Sequence, residues 1–127
     1  MRLPQMAPAA LELLDRAIMQ AVDQAVHIGY PADAGAALII ELDGLHEDMP
    51  RSLALIAAFC REHDVISVDT AESAAAAARL WLSRRAAFGA MARLASHCYI
   101  VDGCVPRTRL PEALRRVTAI GARYGLR

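Results

Sequence analysis

Apolar residues recur along this chain with two different periods, and glycines and prolines mark the changes between them. Over 8–28, Leu11, Leu14, Ile18, Ala21 or Val22, and Ala25 or Val26 are spaced three and four apart, which predicts a helix. Pro8 suits its first turn, and Gly29, Tyr30 and Pro31 end it. AALIIELDG at 36–44 is short and apolar and predicts a buried strand, closed by an Asp43-Gly44 turn. Asp48 predicts an N-cap, with Pro50 in the first turn of a helix reaching about His63. Leu53, Ile56 or Ala57, and Cys60 line one face of it. VISVD at 65–69 is β-branched and predicts a second strand. Thr70 or Asp69 then caps the longest helix, about 71–94, whose AAAAA run at 74–78 is a strong helix former. HCYIVDG at 97–103 predicts a third strand. Beyond a loop bracketed by Pro106 and Pro111, Leu114, Val117, Ile120 or Gly121, and Tyr124 line a last helix, which Gly125 ends.

Helices alternate with strands, so helices are expected to pack on a sheet. The crossovers permit parallel pairing or a split βαβ arrangement. The expected class is α+β: a single domain over 1–127 with a ferredoxin-like sheet of about three strands packed by four helices.

Composition narrows the function. The 127 residues carry 14 basic and 14 acidic side chains, so no basic excess recommends a nucleic-acid partner. Hydrophobic residues make up 56%, enough for a core, yet no apolar run approaches the ~20 residues of a membrane span. The opening MRLPQMAPAALELLD lacks the layout of a signal peptide, and a cytoplasmic setting is expected. Cys60, Cys98 and Cys104 form neither a disulfide framework nor a zinc site. His27, His46, His63 and His97 share no face and no metal-ligand spacing, so each is expected at the surface or at a helix end. Glycine-rich phosphate loops and nucleophile motifs are absent from the sequence, and no complete active site is visible.

The informative stretch is RLWLSRRAAFGAMARL at 79–94. Ala77, Trp81, Arg84, Phe88 and Met91 follow one another at alternating four- and three-residue steps, a seam that is apolar except for Arg84. A guanidinium in such a seam needs a partner, because an unpaired buried charge costs several kcal/mol. The partner is either an internal carboxylate, with Asp43, Asp69 and Asp102 near strand ends, or the carboxylate of a ligand. In a third arrangement the stem packs while the head reaches water. Arg85 lies about 100° further round and is expected at the surface.

Four blocks carry a family resemblance: LELLDRAIMQAV at 11–22, ALIIELDG at 37–44, RLWLSRRAAFGAMARL at 79–94 and DGCVPRTRLPEAL at 102–114. Together they resemble the C-terminal region of FAD-linked oxidases, close to the glycolate oxidase flavoprotein subunit and the D-lactate dehydrogenases. The resemblance implies the substrate or cap domain of an enzyme that oxidises a D-2-hydroxy acid, with FAD taking the hydride. It implies that the Arg of the W-x-x-R helix, Arg84 here, binds the substrate carboxylate. Trp81 and Phe88 on the same helix, and Val105, Pro106 and Arg107 in the V-P-R block, become candidates for lining the pocket. No metal ligand is implied in this chain. Cys104 stands where the family has Thr, and Arg85 where it has Lys.

Compared with that pattern, the sequence holds neither the family's FAD-binding domain nor its histidine-bearing H-A-G-D-G-N-x-H segment. The implied picture is a fragment that is incomplete relative to the full family domain. It would carry no cofactor itself, would be inactive alone, and would have the FAD-binding domain or the remaining oxidase polypeptide as partner. The competing expectations are a non-catalytic carboxylate-binding module and an oligomerisation module. A strand missing beside 36–44 would leave an apolar edge, and self-association, as a homodimer, through that edge or a nearby apolar face is expected. Light scattering at rising concentration should show association, and a strict monomer throughout would refute it.

Overall fold

The computed structural model describes residues 8–44, 48–95 and 97–126, and shows an α+β chain with four α-helices and one two-stranded sheet among them. Strand β1 (Ala10–Asp15) leads directly into α1 (Arg16–Val26). Then follow β2 (Ala36–Glu41), α2 (Met49–Arg61), α3 (Ala74–Met91), a short 3-10 turn (Arg107–Arg109) and α4 (Leu110–Arg123). The chain forms two compact units, Met1–Ser96 and His97–Arg127. His46 and the opening residues 1–7 lie outside the described residues.

The first segment corrects the expectation of a helix over 8–28. Leu11, Leu14 and Ile18 have helical spacing, but Ala10–Asp15 alternates its exposure with period two and pairs with β2. Helix begins only after Asp15, whose Oδ1 accepts the Ile18 N–H at 2.9 Å and so caps α1. At the other end, His27 takes up the left-handed conformation (φ 52°), and Asp23 Oδ1 accepts the Gly29 N–H at 2.6 Å. Gly29 itself has φ +86°, which only glycine adopts without strain.

β1 and β2 are antiparallel, with Leu11 opposite Ile40, Glu12 opposite Ile39, Leu13 opposite Leu38 and Leu14 opposite Ala37. Side chains alternate across a strand, so Glu12, Leu14, Ala37 and Ile39 share one face. Leu14, Ala37 and Ile39 pack with Met19 and Ala34 in one core cluster. The opposite face carries Leu11, Leu13, Leu38 and Ile40, and its three leucines are exposed.

A second cluster joins α1 to α3 through Ala21, Val22 and Ala90, flanked by Ala25, Ala86, Ala87 and Met91. Ile18 and Tyr30 touch both clusters and tie them together. The facing residues are mostly alanines, which lets two helix backbones approach closely. α3 is capped by Ser73, whose Oγ accepts the Ala76 N–H at 3.1 Å, rather than by Thr70 or Asp69. Asp48 occupies the N-cap position of α2 without a side-chain cap bond, and Pro50 sits in the first turn as expected.

The sheet of about three strands is not what forms. Residues 65–69 and 97–103 have no strand structure, and Val65, Ile66, Tyr99, Ile100 and Val101 are exposed. Their β-branched composition suits a strand, but a strand exists only when a neighbour completes its backbone ladder. In the second unit α4 buries no residue, and Leu110, Leu114, Val117, Ile120 and Tyr124 are all exposed. It closes with paired bonds, Leu126 N–H to Gly121 O at 2.8 Å and Gly125 N–H to Ala122 O at 3.3 Å, around Gly125 at φ +66°. That is the expected glycine stop.

Ala90 is 3% exposed against α1, so a larger side chain there must push the helices apart. Ala90→Leu is expected to cost about 1–3 kcal/mol. Urea unfolding should show a lower midpoint at unchanged slope, and an unshifted midpoint would contradict the close packing.

Candidate functional site

The buried side of α3 is made by Ser83 and Ala90, with Ala86 and Ala87 partly covered beside them. Ser83 satisfies its hydroxyl by donating to Leu80 O at 2.9 Å. The seam of Ala77, Trp81, Arg84, Phe88 and Met91 is therefore not the buried stripe of the helix. Trp81 is half-buried, Met91 partly buried, and Phe88 is 68% exposed. α3 carries apolar residues nearly all round, so spacing by itself did not select the packed face. α1 lies against the alanines, and the bulky ring of Phe88 is left outward.

Arg84 is exposed on this outward side, and its side chain keeps 50% of its surface. Its Nε donates to Glu12 Oε2 at 2.8 Å, a bond between residues 72 apart in sequence. The partner is thus an internal carboxylate, but none of Asp43, Asp69 and Asp102. Glu12 comes from β1, and its side chain is 36% exposed. Sequence reasoning missed it because it placed 11–22 in one helix. The signal was present in the alternation of β1, where Glu12 falls between Ala10 and Leu14 on the inward face, a carboxylate in need of a cation.

Arg85 is exposed, as expected, and its Nη2 donates to Ala78 O at 2.8 Å. Val105, Pro106 and Arg107 belong to the second unit, where all three are exposed and Pro106 precedes the 3-10 turn. Further along that unit, Glu112 pairs with Arg109 at 2.6 Å and Arg116 at 2.7 Å, an ion-pair set along the start of α4. A shallow groove between α1 and α3 is lined by Ala21, Gln24, Ala25, Ala90, Arg93 and Leu94, and does not include Arg84. Among the described residues, no cluster of His, Cys, Asp or Glu could hold a metal ion, and no helix is long and apolar enough to cross a membrane.

Chemically, the outward face of α3 offers a permanently charged, planar donor flanked by Trp81 and Phe88. Such a surface suits a small carboxylate whose remainder is apolar or lies against a ring. Among the described residues, the Glu12 carboxylate is the group bonded to the Arg84 side chain.

Residues 2–127 match the model of the family described as FAD linked oxidases, C-terminal domain, and the chain belongs to that family. Among curated relatives, it is 35% identical to glycolate oxidase subunit GlcD of Bacillus subtilis over 94% of this chain and 25% of the relative. It is 32% identical to glycolate oxidase subunit GlcD of Escherichia coli K12 over 94% of this chain and 24% of the relative. The chain therefore spans about a quarter of the length of these relatives. No solved structure matches it.

With half of Arg84 in water, the Glu12–Arg84 pair is expected to contribute less than about 1 kcal/mol to stability. A double-mutant cycle with Glu12→Ala and Arg84→Ala, read by thermal unfolding at low and high salt, should give a small coupling that salt removes. A coupling that survives high salt would indicate a desolvated pair instead.

Proposed function

We propose that this chain forms the substrate-binding wall of an FAD-dependent oxidoreductase acting on a 2-hydroxy acid of the glycolate or D-lactate type. The single observation that carries the proposal is the position of Arg84. The residue that matches the family's W-x-x-R helix is also a half-exposed guanidinium, with Trp81 one turn before it and Phe88 one turn after it on α3. In this role Arg84 binds the carboxylate and fixes which face of the hydroxyl-bearing carbon is presented, while Trp81 and Phe88 shield it from water.

FAD, when bound in the parent enzyme, accepts the hydride. The sequence contains no glycine-rich turn to cradle its pyrophosphate, so flavin contacts are assigned to the FAD-binding domain or the remaining oxidase polypeptide. That polypeptide is the proposed partner. By itself the chain would bind hydroxy acid without turning it over. A specific observation favours a second reading, an association module: the exposed Leu11, Leu13 and Leu38 on the sheet face away from the core. A homodimer at that sheet is its concrete form.

The experiment is a thermal-shift titration with glycolate, lactate and 2-hydroxyglutarate. A ligand that binds only the folded state stabilises it by RT ln(1 + [L]/Kd), about 2.7 kcal/mol at a hundredfold excess over Kd. The shift should appear in the wild type and vanish in Arg84→Ala. No shift with any of the three acids would reject the carboxylate site and leave the association module.

A further inference from the structure

A guanidinium has two edges that can each hold a carboxylate: the side bearing Nε and the end bearing Nη1 and Nη2. In Arg84 the Nε side is taken by Glu12 Oε2 at 2.8 Å. Among the described residues, no partner is found on the Nη1/Nη2 end. The two halves of the pair differ in what holds them. Glu12 stands on a strand, opposite Ile39 in the ladder, so its backbone is held by the sheet and its carboxylate is on a shorter side chain than the guanidinium. Arg84 stands on the outward side of a helix, at the end of a long, rotamer-rich side chain. One bond from the sheet to Nε therefore removes much of the freedom of the guanidinium plane and sets which edge faces solvent.

We infer that Glu12 is a positioning residue: it holds Arg84 by Nε so that the Nη1/Nη2 end is presented for two parallel bonds to the carboxylate of the hydroxy acid. This rests on the carboxylate site proposed above and adds the residue that organises it. Glu12 touches no substrate in this scheme. It reduces the orientational freedom that Arg84 loses on binding, which is how a preorganised donor raises affinity. The opposite arrangement, in which Glu12 occupies Arg84 as an internal competitor that a ligand must displace, makes the opposite prediction. Removing Glu12 would then strengthen binding.

The test uses the whole 127-residue chain, with glycolate as probe. Two readouts are followed: calorimetric affinity, and the Nε–H resonance of Arg84 in nitrogen-15 NMR, identified by its loss in Arg84→Ala. In the free wild type, that proton should be protected from exchange, and it should lose protection in Glu12→Ala. Glycolate should leave it protected. Affinity should fall about tenfold in Glu12→Ala and no more than about threefold in Glu12→Gln, whose amide oxygen still accepts from Nε. A merely structural role would lower the melting temperature without this graded loss and rescue. Unchanged or tighter glycolate binding in a folded Glu12→Ala would overturn the inference and leave the site standing. Equal losses in the Gln and Ala variants would also overturn it. A wild type that binds no glycolate would instead remove the site on which the inference rests.

Discussion

The close approach of α1 and α3 is the constraint on which the rest of the first unit depends. Val22 and Ala21 on one helix meet Ala90 on the other, with Ala86 and Ala87 alongside. Small residues at the crossing mean that neither helix can rotate without driving a larger side chain into the contact. The rotation of α3 is fixed by that choice. With the alanine side inward, Arg84 and Phe88 are exposed, and Arg84 is hydrogen-bonded to Glu12 on β1. The placement of Arg84 is thus a by-product of helix packing, joined to the sheet by one bond.

Much of this was legible in the residues. α2 and α3 fall within the predicted segments, and α4 stops at the expected glycine, because proline in the first turn, a polyalanine run and a closing glycine each act locally. α4 starts at Leu110, inside the loop expected between Pro106 and Pro111. β2 was legible as a short apolar run between glycines. β1 was not: Leu11, Leu14 and Ile18 satisfy a helical period while Ala10–Asp15 satisfies an alternating one, and the deciding fact, pairing with 36–41, is non-local. The strands expected at 65–69 and 97–103 failed for the converse reason. Their propensity is real, but ladder partners are not encoded in the segment itself. Arg84 was singled out by its polar character in an apolar seam, although in the fold Arg84 and Phe88 are exposed while Met91, in the same seam, packs into the α1–α3 cluster. Glu12 was hidden by the error at β1.

The family assignment and the geometry bear on different parts of the problem. Membership in the FAD linked oxidase C-terminal domain family identifies the kind of polypeptide. The carboxylate recognition proposed for Arg84 is one chemical task, separate from which acceptor takes the electrons.

The leucines left outward on the sheet have a thermal consequence. Aliphatic surface is driven from water mainly by entropy near room temperature, and the drive weakens on cooling. Whatever covers Leu11, Leu13 and Leu38 should hold more loosely in the cold than in the warm, and more firmly in sulfate than in dilute buffer. The first unit would then be handled best at low temperature and low ionic strength, the reverse of the treatment suited to a contact built from charges.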